Sequence, residues 1–155
     1  MVRNIIISTL LILTLSCNDE FDITYNPVES ELSVFEEEFF ILINEYRESI
    51  GIGSVETDEL VRGLAYDHCK YMILNGEISH NNFNLRVVKL GEYNINKVGE
   101  IVAFGYGTSK GLLNGYLNSP EHRKIIERGE YTHVGIKSVK DKDGRYYNVA
   151  IFVKI

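Results

Sequence analysis

Apolar residues recur at three- and four-residue intervals through Phe35, Phe39, Leu42, Ile43, Tyr46 and Ile50. This spacing predicts a helix that starts from Glu31, buries one face and is stopped by Gly51 and Gly53. A second helix is predicted from Thr57, read as its N-cap with Asp58 and Glu59 in the first turn. It carries Leu60, Val61, Leu64, Ala65, His68, Tyr71 and Met72 on or near one face and ends at Asn75-Gly76. Phe83, Val87 and Leu90 predict a short third helix stopped by Gly91, while Val98, Ile101, Val102 and Phe104 suit a short strand or the turn beside one. Thr108 or Ser109 can cap a helix that holds Leu112, Leu113, Tyr116 and Leu117. In the stretch NSPEHRKII, Ser119 reads as an N-cap and Pro120 as the first helical residue, where its missing N–H costs nothing, with Gly129 as the terminator.

Near the C-terminus the period drops from 3.6 to 2. THVGIKSV and YYNVAIFVKI are strand-like runs joined by KDKDG, whose Asp143-Gly144 is a turn signal, so they are expected to pair as an antiparallel hairpin. The last run is apolar on both faces from Val149 to Val153, as in a strand covered on both sides, and the helices are the available cover. The expected fold class is α+β, a three-layer α-β-α sandwich around a small, mostly antiparallel sheet.

Ordinary composition, 45% hydrophobic and 25% charged with two prolines, fits one compact domain in 155 residues. The net charge of −6 comes without a basic stripe, so nucleic acid is not an expected partner. The apolar run from Ile5 to Leu15 is too short to span a bilayer but fits the core of a secretory signal. Cys17 follows that run and a small residue, which resembles the lipobox of bacterial lipoproteins. Residues 1–17 are therefore read as a signal peptide with Cys17 as the lipidation site, or as an ordinarily cleaved secretory leader. Both imply export. Residues 18–33 read as a flexible, acidic tether and 34–155 as the folded domain. With Cys17 lipidated, Cys69 has no partner for a disulfide and is read as a small buried hydrophobe.

No phosphate-binding glycine loop, CxxC pair, HExxH or nucleophile elbow is present. The polar candidates are His68, His80, His122, His133 and Glu100. Glu100 stands inside the apolar VGEIVAF, so it either points outward or is buried with a partner. His122 lies in a first helical turn, where the helix dipole disfavours imidazolium and leaves a neutral ring able to accept a proton or bind a metal.

Taken in order, LINEYRESIG, ISHNNFNLR, VGEIVAFGYG, YLNSPEHRKII and YTHVGI resemble the blocks of the CAP superfamily in its disulfide-free bacterial, SCP-like form. That family comprises cysteine-rich secretory proteins, antigen 5 and plant pathogenesis-related proteins. The match runs from about Phe35 to Ile155. The resemblance implies a central cavity lined by two histidines and acidic residues, with His80, Glu100 and His122 at the matching positions. The fourth cavity position, a glutamate three residues after a tryptophan in eukaryotic relatives, is here Ser119 after Tyr116. Ile101 stands where the family's GEN block has asparagine. By this resemblance His80, His122 and Glu100 are a candidate ligand set for zinc or another divalent cation. Three functions follow as expectations: binding of a lipid, small molecule or protein in the cavity of a lipid-anchored protein; a metal-dependent hydrolase or peptidase using the same three residues; or a protein-interaction domain with a vestigial cavity. No residue reads as a nucleophile, since Ser119 is an N-cap and Ser79 merely adjoins His80.

Overall fold

The computed structural model describes residues 31–155; the expected signal segment, Cys17 and most of the tether lie outside the described residues. Five helices and four strands follow in the order α1 (Val34–Ser49), β1 (Glu56–Thr57), α2 (Glu59–Asn75), α3 (Phe83–Gly91), β2 (Lys97–Phe104), α4 (Ser109–Asn118), α5 (Pro120–Ile126), β3 (His133–Lys140) and β4 (Tyr146–Lys154). Among the described residues no helix is long and apolar enough to cross a membrane.

Local chemistry sets the boundaries. α1 begins at Val34 rather than Glu31 because Ser33 and Glu36 form a reciprocal capping box: each side chain binds the other residue's backbone N–H. The N-cap of α2 is Asp58, whose carboxylate accepts from the Val61 N–H, and not the expected Thr57. Thr57 belongs instead to β1, a two-residue strand that pairs parallel with β3, a register that two residues of sequence do not announce. Gly76, at φ 65°, closes α2 in the left-handed conformation that glycine adopts without strain. α5 ends at Ile126, three residues before Gly129, and the Ser119 hydroxyl makes no capping hydrogen bond although Ser119 holds the N-cap position.

The sheet runs β1-β3-β4-β2, with β4 antiparallel to both neighbours. β4 is thus an interior strand, and Val149 to Val153 are all buried. Alternate residues serve opposite layers, as a pleated strand requires. Ile101, Ala103, Ile136 and Phe152 pack with Phe39 and Ile43 of α1, Leu112 and Tyr116 of α4, and Ile126 of α5. Val102, Val149 and Ile151 pack with Val61, Leu64 and Met72 of α2 and Leu90 of α3. Gly135 lets α2 approach β3 closely: a Cβ there would collide with the backbone of Val61 and Arg62. The result is the α-β-α sandwich, with β2 as the edge strand toward which α5 and the α2–α3 loop converge.

The fully buried Arg47 ties the far end of α5 to α1. Its guanidinium donates to the carbonyls of Gly53 at 2.8 Å, Ile126 at 2.6 Å, Arg128 at 3.2 Å and Tyr131 at 3.2 Å. Cys69 is buried as expected, its thiol directed at the Lys137 and Tyr147 carbonyls; burial pushes its pKa up, which keeps it an unreactive thiol.

Candidate functional site

Strand pleating decides where Glu100 goes. Its even-numbered neighbours Val98 and Val102 face the α2/α3 layer, so Glu100 enters that layer too, with its side chain only 1% exposed. A lone carboxylate there would be costly, and three cations or imidazoles surround it. Arg86 of α3 grips it with both arms: Nε donates to Oε2 at 2.7 Å and Nη2 to Oε1 at 2.7 Å. The third guanidinium nitrogen, Nη1, donates to the Asn81 carbonyl at 3.0 Å, so the same arginine also fixes the loop that carries His80. His80 Nδ1 donates to Glu100 Oε1 at 2.9 Å. His68 of α2 lies behind them, with Nε2 3.8 Å from Oε1.

These contacts settle two imidazole tautomers. The carboxylate can only accept, so His80 Nδ1 carries a proton, and in the neutral tautomer Nε2 is the acceptor. The ring is 49% exposed, open to the cleft in front of it. His68 is the reverse: Nε2 donates to the Ser79 carbonyl at 2.7 Å, which leaves Nδ1 buried without a partner. His68, buried on the face of α2 that it shares with Leu64 and Met72, therefore belongs to the polar cluster behind the cleft. Burial pushes the Glu100 carboxyl up, but hydrogen bonds from His80 and Arg86, with the charge of Arg86, outweigh it and hold it below the usual range.

Two clefts flank β2. The first, of about 360 Å³, holds His80 and Glu100, with Phe83, Val98 and Ile125 as apolar walls. The second, of about 330 Å³, holds His122 and Ser119 with Tyr116 and Tyr106. The Tyr116 ring meets the His122 ring edge-on at 5.3 Å between centroids, and the Tyr116 hydroxyl is buried with no hydrogen-bond partner. The structure thus brings His80 and Glu100 into contact and places His122 and Ser119 together next door. His133 sits apart, at the start of β3 beside β1, with Nε2 3.9 Å from Glu56 Oε2.

The three-ligand metal set His80, His122 and Glu100 does not fit this arrangement. Both Glu100 oxygens are taken by Arg86, whose positive charge opposes a cation at the same spot, and no group of three His, Cys, Asp or Glu among the described residues is placed to hold a metal.

The imidazoles predict a pH response. Burial, then the Arg86 charge, lowers the His68 pKa; burial, then His80, lowers that of His122. The unfolded chain then binds more protons than the folded one just below pH ~6.5, the ordinary imidazole value. Stability is therefore fully present above that pH and falls on acidification through the lowered values. Thermal unfolding from pH 8 to 5 should show a flat melting temperature that drops below about pH 6.5. A rise over that range would contradict these assignments.

Comparison with known proteins fits the geometry. The family model described as "Cysteine-rich secretory protein family", CAP, matches residues 40–153. The chain is 28% identical over 116 residues to the uncharacterized membrane protein YlbC of Bacillus subtilis (strain 168), a match that covers 72% of this chain and 32% of that protein. The chain thus spans about a third of the length of that curated relative. Among solved structures, an outer surface protein of Borrelia burgdorferi superposes with a TM-score of 0.70 at 22% identity, over 76% of this chain and 90% of that one. An extracellular protein containing an SCP domain from Bacillus anthracis str. Ames gives 0.68 at 23% identity, over 77% of this chain and 40% of that one. With the family model covering most of the described sandwich, the chain belongs to the cysteine-rich secretory protein (CAP) family.

Proposed function

We propose that this chain is an exported binding domain that takes a ligand (a small molecule, a lipid or a protein segment) in the clefts beside β2, above a polar floor of Glu100, Arg86 and His80. The observation that carries the reading is the preset His80 ring. Its Nδ1 is engaged by a carboxylate that Arg86 has already neutralised, so the one uncommitted ring nitrogen is an acceptor beside the apolar surface of Phe83, Val98 and Ile125. A concave site with apolar walls and a few fixed polar groups is the usual form of a ligand site. The buried, unpartnered Tyr116 hydroxyl in the neighbouring cleft is a second polar group for a ligand to satisfy. Export is supported by the extracellular and outer-surface descriptions of the structural relatives and by the apolar run ahead of Cys17. Membrane attachment through a lipidated Cys17 is part of the proposal, and Cys17→Ser should release the protein from the membrane fraction.

A second reading has one observation in its favour: His80 held by Glu100 is the base-and-orienter half of a hydrolytic site. Its weakness is the nucleophile. The Ser79 hydroxyl accepts from the Asn81 N–H at 3.4 Å, and Ser119 lies in the other cleft with His122. A mass spectrum of molecules retained by the purified protein tests both readings when paired with a peptide and ester hydrolysis screen. A retained molecule lost in His80→Ala, without turnover, is expected. Turnover abolished by His80→Ala would establish the hydrolase instead.

A further inference from the structure

We infer that the His80 cleft recognises the carboxyl-terminal end of a peptide whose last side chain is apolar. The inference rests on the ligand-binding reading above and gives its ligand a chemistry. Lys124 of α5 and Arg128, one turn further along the chain, line this cleft. No hydrogen bond or ion pair occupies the Lys124 ammonium among the described residues. The Arg128 guanidinium lies over the Tyr131 ring, 5.6 Å from its centroid, and reaches the Tyr131 hydroxyl only at 3.5 Å. Two cations thus face the cleft without a carboxylate partner, in a chain whose net charge is −6.

The acids of this lining are Glu100 and Glu121; on their other side Lys124 and Arg128 share a neighbouring cleft with Glu127, which accepts from the Tyr46 hydroxyl, and Arg128 also faces Glu130, which is paired with Lys97. Glu100 is spent on Arg86 and His80, so Glu121 is the single uncommitted carboxylate in the lining. The cleft therefore offers a place for one anion, an apolar patch of Phe83, Val98 and Ile125, and two acceptors, Glu121 and His80 Nε2. The last residue of a peptide has all three complements: an α-carboxylate, an apolar side chain and an amide N–H. A fatty carboxylate or an alkyl phosphate supplies the first two but brings no N–H donor for either His80 Nε2 or Glu121. A volume of about 360 Å³ suits one or two residues and not a folded partner.

The test is a set of NMR shift titrations of the whole protein with N-acetyl-alanyl-phenylalanine, its C-terminal amide, and 3-phenylpropanoate. The free acid should bind at least tenfold more tightly than the amide and than 3-phenylpropanoate. Replacing Lys124→Gln together with Arg128→Gln should remove the preference for acid over amide while the melting temperature stays within a few degrees of wild type. Equal binding of acid and amide, with the His80 resonances shifting in both, would overturn the carboxylate assignment and leave the ligand-binding reading standing. Equal binding of 3-phenylpropanoate would make the ligand a simple organic anion and overturn the peptide assignment. If none of the three binds at 10 mM, the inference falls; the ligand-binding reading falls with it only if the purified protein also retains no molecule.

Discussion

Glu100→Gln should lower stability by about 3 to 5 kcal/mol, because it leaves the Arg86 guanidinium buried opposite a neutral amide. The bidentate pair has 2.7 Å contacts at both arms and side chains 5% and 1% exposed, so water cannot replace the lost charge. With an ordinary domain stability of about 5 to 15 kcal/mol, that loss is a large share of the total. The melting temperature should fall by roughly 10 to 20 °C. The floor of the cleft would loosen as well, since Arg86 also holds the Asn81 carbonyl and Glu100 holds the His80 ring. A second substitution tells pairing from simple disruption. Removing both partners, Glu100→Leu with Arg86→Met, should cost less than the two single changes added together, since neither charge is then left alone. A cost below about 1 kcal/mol for Glu100→Gln would mean that the pair is solvated in solution.

Arg47→Ala should be comparably damaging, by about 3 kcal/mol or more, for a different reason. The guanidinium accounts for hydrogen bonds to four backbone carbonyls, two of them in the turn that connects α5 to β3. Deleting it strands buried acceptors, each worth about 1 to 3 kcal/mol when unpaired, although relaxation and water entry recover part of the total. Arg47→Lys should rescue little, because one ammonium cannot span carbonyls that a flat, five-donor group reaches at once. Loss of the anchor should appear locally before it appears globally: amide exchange in residues 127–132 should rise by a larger factor than in β4. Uniform exchange, or an unchanged melting temperature, would show that the anchor matters little.

Much of this molecule was legible in the sequence where one physical signal dominates. The 3.6 period through Phe35, Phe39 and Ile43 locates α1, and the two-sided apolar run at Val149 to Val153 locates an interior strand. The boundaries moved where two signals competed. Thr57 and Asp58 are both good caps, and parallel pairing with β3 took Thr57 into β1. Gly129 is a natural stop, yet α5 closes earlier, and the Ile126 and Arg128 carbonyls at and beyond its end accept from Arg47.

The site was half legible. Glu100 in an apolar strand announces a buried partner but not its identity. The signal for that partner was present: Arg86 shares a helical face with Phe83 and Leu90, and His68 shares one with Leu64 and Met72. A charged or polar residue on a core-facing stripe asks for a counterpart, and three such residues from α2, α3 and β2 answer one another. What sequence spacing cannot supply is the direction in which each side chain points. For that reason Glu100, matched by resemblance to a metal-ligand position, turned out to have both oxygens bound by an arginine.

At the centre of the site, Glu100, already neutralised by Arg86, presets His80 with its proton on Nδ1 and an accepting Nε2 facing the cleft. The ¹⁵N spectrum of the His80 imidazole at pH 8 measures this directly. A protonated Nδ1 and a bare Nε2 are expected in the wild-type protein, with the preference lost in Glu100→Gln. A proton on Nε2, or a rapidly exchanging mixture of tautomers in the wild-type protein, would contradict it.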